Sequence, residues 1–523
     1  MTKHVLAGLV AALLVVAVPA DAKSLRWASR GDILTLDPHA QDENLTNMVA
    51  DQIYEPLVAR DRQMKILPAL ALSWTNPQPT QWRFKLRPNV KFHDGTAFTA
   101  DDVVFTIERA LAPTSNFKSY LASVTGAKIV DDATVDILLS SPNAALIQNL
   151  AGVRIMSRAW AEKNKVTQPQ NFKDKEETFS ARNTNGTGPY MLKLREADVK
   201  TVLVENPNWW GKREGNVTEA TYLPIKADAT RVAALLSGEV DFVLDPPPQD
   251  VPRLKGNAAL KVVEGSEVRT IFLGLDQSRD ELLYSNVKGK NPFKDVRVRQ
   301  AMSMAIDVEA IKSRIMRGLS VPTALMLPPQ IDGYAKELDK RAPVDREKAK
   351  KLLAEAGYPS GFEVQLDCPN NRYINDEQIC QAVTSMLAQI GIQVKLNAMP
   401  RAVWLPKLQK YDTSFYLLGW GVTTFDAHYG LSSLMHTPTA SGDGSFNYGR
   451  YSNATMDDLL DRIRSEMDPA VRRKLVAEAL ALSLSDVAHL PLHFQVIPWA
   501  MRSNINLVHR PDNYLTLNWI EVK

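Results

Sequence analysis

Between Asp345 and Leu418 the sequence alternates helical and extended periodicity three times, and no other feature limits the fold as sharply. Asp345–Ala356 has helical spacing and stops at Gly357, and Phe362–Asp367 reads as a strand. Asn375–Ile390 is a helix that stops at Gly391, and Ile392–Asn397 is the next strand. Arg401–Gln409 is a short helix and Ser414–Leu418 a third strand. This alternation calls for a largely parallel sheet with helices on its faces. Ligands of such sheets sit beyond the carboxyl ends of the strands. Here those ends are the loops Cys368–Asp376 and Gly419–Gly430.

A similar unit lies upstream. Tyr222–Ala227 reads as a strand, Ala229–Leu236 as a helix, Gly238 as its stop and Val240–Leu244 as the following strand. From about Leu67 to Ser180 the pattern becomes strand-rich. Trp82, Phe84 and Leu86 alternate with Arg83, Lys85 and Arg87, and Val90 and Phe92 resume the alternation. After the turn His93-Asp94-Gly95, Thr99 and Asp102 form a capping box. Val103, Val104, Ile107, Ala110 and Leu111 follow at helical spacing, with Glu108 and Arg109 expected outward. Lys128–Ser140 reads as a hairpin, and Gly186–Pro189 as a tight loop before paired strands Tyr190–Leu194 and Lys200–Glu205. Leu25–Ala28 is expected as a first strand, with Leu490–Pro498 and Leu515–Val522 as closing strands. Asn44–Val58, Asp295–Gly318 and Arg462–Ser485 are expected to be helical.

The chain has 523 residues, more than one core usually supports, so two or three domains are expected. A formal charge of +3 gives no reason to propose nucleic acid as a partner. Lys3, the apolar run Val5–Val18 and Ala20-Asp21-Ala22 have the order of a signal peptide cleaved after Ala22, which implies an exported, periplasmic protein. Cys368 and Cys380 are the two cysteines; in an exported chain their closeness points to a disulfide, with two free buried thiols as the other state compatible with the spacing. The motifs of serine hydrolases, P-loop nucleotide binders and helical zinc peptidases are absent. His489 and His493 share a strand face but lack a carboxylate at ligand spacing, so neither a metal site nor a cofactor is expected.

The segment FKLRPNVKFHDGTAFTADDVVFTIERAL resembles the signature region of the family 5 extracellular solute-binding proteins. The resemblance continues in LDPH at Leu36–His39, YEPL at Tyr54–Leu57, GTGPY at Gly186–Tyr190, NPNWW at Asn206–Trp210 and GEVD at Gly238–Asp241. VRQAMSMAID at Val298–Asp307, LLAEAGYPSGF at Leu352–Phe362 and LAQIGI at Leu387–Ile392 extend it. It implies an α/β, two-lobed periplasmic binding protein of the type II-like, Venus-flytrap kind, with an extra inserted domain. The expected division is 1–22 signal peptide, 23–66 first lobe, 67–184 inserted α+β subdomain and 185–268 first lobe again. The second lobe is then 269–486, and 487–523 returns to the first. It also implies delivery of a captured solute, by a monomer, to an ABC permease and its ATPases.

A receptor for a zwitterionic peptide needs a guanidinium for the carboxylate, a carboxylate for the ammonium and aromatic walls. Arg372, beside Asn371 and Tyr373 in a polar loop, is the expected anion anchor. Trp420 matches the family's Gly-Trp before its ligand loop. Peptide-binding members carry an acidic residue three positions later, where this chain has Thr423. Asp426 follows as a candidate for an amino group, or as a helix cap. Arg401 and Trp404 are expected near the same cleft, with Tyr54 and Asn44 as weaker candidates from the first lobe. His428 lies near the place where nickel-binding relatives carry a histidine. The expected cargo is a short peptide or peptide-like solute. A nickel chelate, an opine or another small solute is the alternative, and a secreted hydrolase the competing class.

Overall fold

The computed structural model describes residues 23–523, so the expected signal peptide lies outside the described residues. The region of regular alternation folds as its periodicity predicts. Helix Arg346–Glu355 starts at Asp345, whose carboxylate accepts from Lys348 N–H, and strand Phe362–Pro369 follows. Helix Asp376–Ala388, strand Ile392–Met399, helix Arg401–Gln409 and strand Phe415–Gly421 complete it. Strand Phe362–Pro369 pairs in parallel with both other strands, with Phe362 opposite Ile392 and Asp367 opposite Tyr416.

These strands form one end of an eleven-stranded sheet. Next to Phe415–Gly421 runs Leu260–Leu275, a strand of 16 residues, and next to that Leu490–Arg502, of 13. Beyond them lie Phe242–Leu244, Lys23–Ser29, Val217–Pro224, Lys200–Glu205 and Tyr190–Glu196. The two long antiparallel strands therefore belong to both halves of the sheet and join them. Their register breaks between Ser266 and Thr270. Such a bulge re-aims side chains, and here the bulged residues include Glu267 and Arg269.

Residues 71–139 form a separate four-stranded antiparallel sheet containing Gln81–Leu86 and the hairpin Val124–Asp131 with Thr134–Leu139. Helix Ala100–Ala110 follows its expected cap, the Asp102 carboxylate accepting from Thr99 N–H at 2.9 Å and Thr99 Oγ1 at 3.0 Å. The expected second strand at Val90–Phe92 is reduced to one bridge, Lys91 to Ala97, because the Gly95 turn brings Thr96 O back to Phe92 N–H at once. The loop Gly186–Pro189 packs on the end of helix Asn44–Ile53; a Cβ at Gly186 would stand 2.0 Å from Ile53 O, so only glycine fits.

Two expectations need correction, and two helical regions prove to be divided. Arg109 points inward, not outward: its side chain and that of Asp37 are both fully buried, and its guanidinium donates to Asp37 through both terminal nitrogens. Asp37 also accepts from His39 N–H and Ser180 Oγ. Burial alone would raise this carboxyl; Arg109 overrides it and holds it well below the usual carboxylate range. Arg462–Ser485 is not one helix but parts of two, Ala454–Ser465 and Pro469–Asp486, because Asp468 caps a new start at Pro469. Asp295–Gly318 breaks after Ala305, where Asp307 caps a new turn. Leu515–Val522 makes only a short turn and a two-residue strand, because its amides are taken elsewhere: Leu515 N–H faces Met48 Sδ and Leu517 N–H donates to Gln52 Oε1.

Candidate functional site

The site is built where the crossing strands, the helix Asn44–Ile53 and the carboxyl ends of the parallel strands meet. Glu43 caps that helix, its Oε2 accepting from Thr46 N–H at 3.0 Å and Thr46 Oγ1 at 2.9 Å. Its other oxygen reaches across the seam to Arg372 Nε at 3.1 Å and Arg401 Nη1 at 2.8 Å. Burial pushes this carboxyl up, but Arg401 and Arg372 prevail and hold it at about 2.

The Arg372 loop is firmly held. Asp376 accepts from Arg372 N–H and Tyr373 N–H at 2.8 and 2.9 Å, and the Cys368–Cys380 disulfide ties the strand end to the helix behind it. The Arg372 guanidinium lies 4.8 Å from the Tyr373 ring. Arg269, from the bulge, donates to Glu267 at 2.9 Å and to Gly419 O at 3.0 Å, and Tyr373 Oη donates to the same oxygen at 3.1 Å. Gly419 is required here, since a Cβ would stand 2.6 Å from Ile271 Cδ1 and 2.7 Å from Tyr373 Cε1.

Between the halves lies a cavity with about 50 Å³ open to the centres of water-sized molecules. Its aromatic walls are Trp420, tilted against Phe446 at 4.4 Å and Tyr429 at 5.5 Å, and Trp404 edge-on to Tyr373 at 6.2 Å. Among the described residues neither Trp420 Nε1 nor Trp404 Nε1 has a hydrogen-bond partner, although both rings are buried. Asp42 opens onto the same cavity and accepts from Tyr429 Oη at 2.7 Å, Asn47 Nδ2 at 2.7 Å and Tyr120 Oη at 3.3 Å. Burial raises the Asp42 carboxyl. Thr423 and Tyr514 also border a second, larger cleft of about 570 Å³, walled by Tyr54, Trp209, Trp210 and Trp519. At its edge Glu55 accepts from the indoles of Trp209 and Trp210, and burial pushes its carboxyl up to about 7.

Of the residues singled out from sequence, Arg372, Tyr373, Trp404, Trp420 and Thr423 meet on this cavity, as does Asn44. Asn371 and Arg401 stand behind it: Asn371 accepts from Arg401 N–H at 2.7 Å and Arg401 reaches Glu43. Tyr54 lines the larger cleft instead. Asp426 is committed elsewhere, capping helix Ala427–Met435 and taking both arms of Arg472 at 2.7 and 2.8 Å. His428 is buried outside the cavity lining, and burial with Arg464 lowers it to about 4. Asp42, Glu43, Arg269 and Tyr429 were missed. Asp42 and Glu43 carry a weak signal as paired acids before a helix; Arg269 sits at the expected lobe boundary, which was itself a signal. His436, Asp443 and Asp461 come together, but Arg464 pairs with both aspartates and supplies the positive charge there.

The model of the bacterial extracellular solute-binding proteins, family 5, matches residues 65–442. The glutathione-binding protein GsiB of Escherichia coli O1:K1 is 28% identical over 498 residues, covering 92% of this chain and 91% of the relative. Among solved structures, AgaA of A. tumefaciens R10 in complex with agropinic acid matches with a TM-score of 0.85 and 26% identity, covering 96% of this chain and 99% of that one. The periplasmic binding protein DppA of Helicobacter pylori, in complex with the peptide STSA, has the same fold, with a TM-score of 0.85 at 24% identity over 96% of this chain and 98% of that one.

Proposed function

The chain belongs to the bacterial extracellular solute-binding proteins of family 5, and from that premise we propose that its cargo is a short peptide or a peptide-like solute, seated between the two halves. It is the substrate-binding component of an ABC importer. The observation that carries the cargo reading is the convergence of Arg372 and Arg269 on a cavity walled by Trp404 and Trp420, each with an indole N–H free to donate. Guanidinium groups receive carboxylates through paired, charge-assisted hydrogen bonds, and the indoles supply apolar faces with one donor each. Arg372 keeps 13% of its side chain accessible, whereas Arg269 and Arg401 are almost closed off, so Arg372 is the group best placed to receive an anion.

Capture proceeds by closure of the halves over the cargo, about the crossing strands Leu260–Leu275 and Leu490–Arg502. The cargo shifts that equilibrium only by as much as it prefers the closed form. The protein acts as a monomer in the periplasm after cleavage following Ala22, and presents its closed form to the permease.

An opine is the second reading. It is favoured by the likeness to AgaA and uses the same anion anchors. A nickel chelate lacks such support, since His428 does not line the cavity. Native mass spectrometry of protein released gently from the periplasm decides among them. A ladder of peptide masses supports the proposal, and an opine mass or a metal complex sinks it. Arg372→Ala is expected to weaken peptide binding by about 10- to 100-fold, the loss of one charge-assisted contact. Incubation with peptides and glycosides should leave them intact; turnover would move the chain to the hydrolase class.

A further inference from the structure

The cavity between the halves has four charged side chains on its walls: Asp42 and Glu43, Arg269 and Arg372. Three are answered within the protein. Arg269 meets Glu267 at 2.9 Å, Arg372 meets Glu43 at 3.1 Å, and Glu43 also holds Arg401. Asp42 differs. Among the described residues it has no ion-pair partner, and its hydrogen bonds come from the neutral groups Tyr429 Oη, Tyr120 Oη and Asn47 Nδ2. Oδ1 accepts from Asn47 and Tyr120, while Oδ2 accepts from Tyr429 alone, so one acceptor position on Oδ2 is open.

A carboxylate withdrawn from bulk water is disfavoured unless a cation meets it. Asp42 nevertheless keeps part of its surface accessible while it borders the cavity, so a group entering there can reach it. The surroundings suit a cation. The Tyr120 and Tyr429 rings lie 4.7 Å apart and Trp420 lies 5.5 Å from Tyr429, and aromatic faces attract ammonium groups. On the opposing loop Thr423 contributes a neutral hydroxyl, 3.3 Å from Tyr120 Oη, so no second carboxylate competes there.

We propose that Asp42 receives a protonated amine of the cargo while Arg372 takes its anionic group, so that the recognised solute is a zwitterion whose ammonium end is read from the segment before helix Asn44–Ile53. This rests on the reading of the chain as a receptor for a peptide-like solute, and it assigns the cationic end of that solute. The competing role for Asp42 is a latch, because Tyr429 comes from the other half of the molecule and its hydroxyl closes onto Asp42.

The two roles separate on the charge of the ligand. The probes are glutathione and a pool of di- and tripeptides, each with a free amine and again N-acetylated. Apparent affinities come from ligand-induced thermal shifts of the wild-type chain, Asp42→Asn and Tyr429→Phe. The wild type should bind the free amines about 10- to 100-fold more tightly than their acetylated forms, the range of one charged hydrogen bond. Asp42→Asn should lose that factor for the free amines and leave the acetylated probes unchanged. Tyr429→Phe removes the contact between halves but not the charge, and should weaken both sets alike. Equal losses for both sets in Asp42→Asn, or a wild type indifferent to acetylation, overturns the proposal. A co-purifying solute without a basic amine also overturns it while leaving solute capture intact. A wild-type protein that takes up no solute overturns both.

Discussion

Glu43 Oε1 and Arg401 Nη1 meet at 2.8 Å across the seam between the two halves, and only 4% of either side chain is exposed. Because Arg372 shares the same oxygen, this carboxylate couples closure to the orientation of the anion anchor. Glu43→Gln would leave two buried guanidinium groups without their counter-charge. The closed form should lose about 3–5 kcal/mol. Small-angle scattering with saturating cargo should then show a larger radius of gyration than for the wild type.

The same group carries a pH dependence. The Glu43 carboxyl sits at about 2, below its ordinary 4.5. A carboxyl with a depressed value contributes stability that is fully present above 4.5 and is lost as the pH falls towards 2. Acid titration of the wild type, followed by intrinsic tryptophan fluorescence, should show a loss in this window that Glu43→Gln lacks.

Glu55 works in the opposite direction. Burial raises its carboxyl from 4.5 to about 7, so the unfolded chain releases this proton first. Stability contributed at this position should fall as the pH rises from 4.5 to about 7 and level off above it. The total is about 3 kcal/mol, at 1.36 kcal/mol for each pKa unit. Denaturant midpoints of wild type and Glu55→Gln, whose neutral amide does not titrate, should lie close together near pH 4.5 and separate as the pH rises to about 7, the wild type falling below the variant.

Asp37 and Arg109 are a buried pair on which the LDPH segment and the capped helix Ala100–Ala110 both depend. Arg109→Ala removes one partner and strands the other, at a cost of about 3–5 kcal/mol. Urea denaturation should register this loss. An Arg109→Lys chain should recover only part of it, because an ammonium cannot make the paired contact.

Replacing Cys368 and Cys380 with serine should lower stability by about 3 kcal/mol on the chain-entropy account. It should also weaken cargo binding, because the Arg372 loop must then be ordered at the moment of binding. Calorimetry should place the loss in a less favourable entropy of binding.

Local pattern determined much of this molecule. The alternation from Asp345 to Leu418 specified three strands and their helices within a few residues. The Gly238, Gly357 and Gly391 stops all adopt positive φ, and the Thr99–Asp102 cap formed as read. These are short-range properties: periodicity, caps and turns involve residues a few positions apart, so a sequence displays them directly. Where a distant partner intervened, the pattern misled. Arg109 looked like a surface residue of an amphipathic helix until Asp37, 72 positions earlier, drew it inward. Met48 and Gln52 took amides that the closing strand Leu515–Val522 would have used in a ladder.

The site divides in the same way. Arg372, Tyr373, Trp404, Trp420 and Thr423 were legible because they follow or flank strands whose carboxyl ends had to face a ligand. Asp426 had the right residue type in the right loop, yet Arg472 claimed it. Asp42 and Glu43 carry only the weak mark of paired acids before a helix, and Arg269 only its place at the expected lobe boundary. Only the tertiary structure decided their role, because the meeting of the halves brings Arg269 to the cavity that Asp42 and Glu43 border, and sets Glu43 against Arg372 and Arg401, more than three hundred residues away in the sequence. A pairing of charges over that distance is set by how the halves meet, which no short-range periodicity encodes.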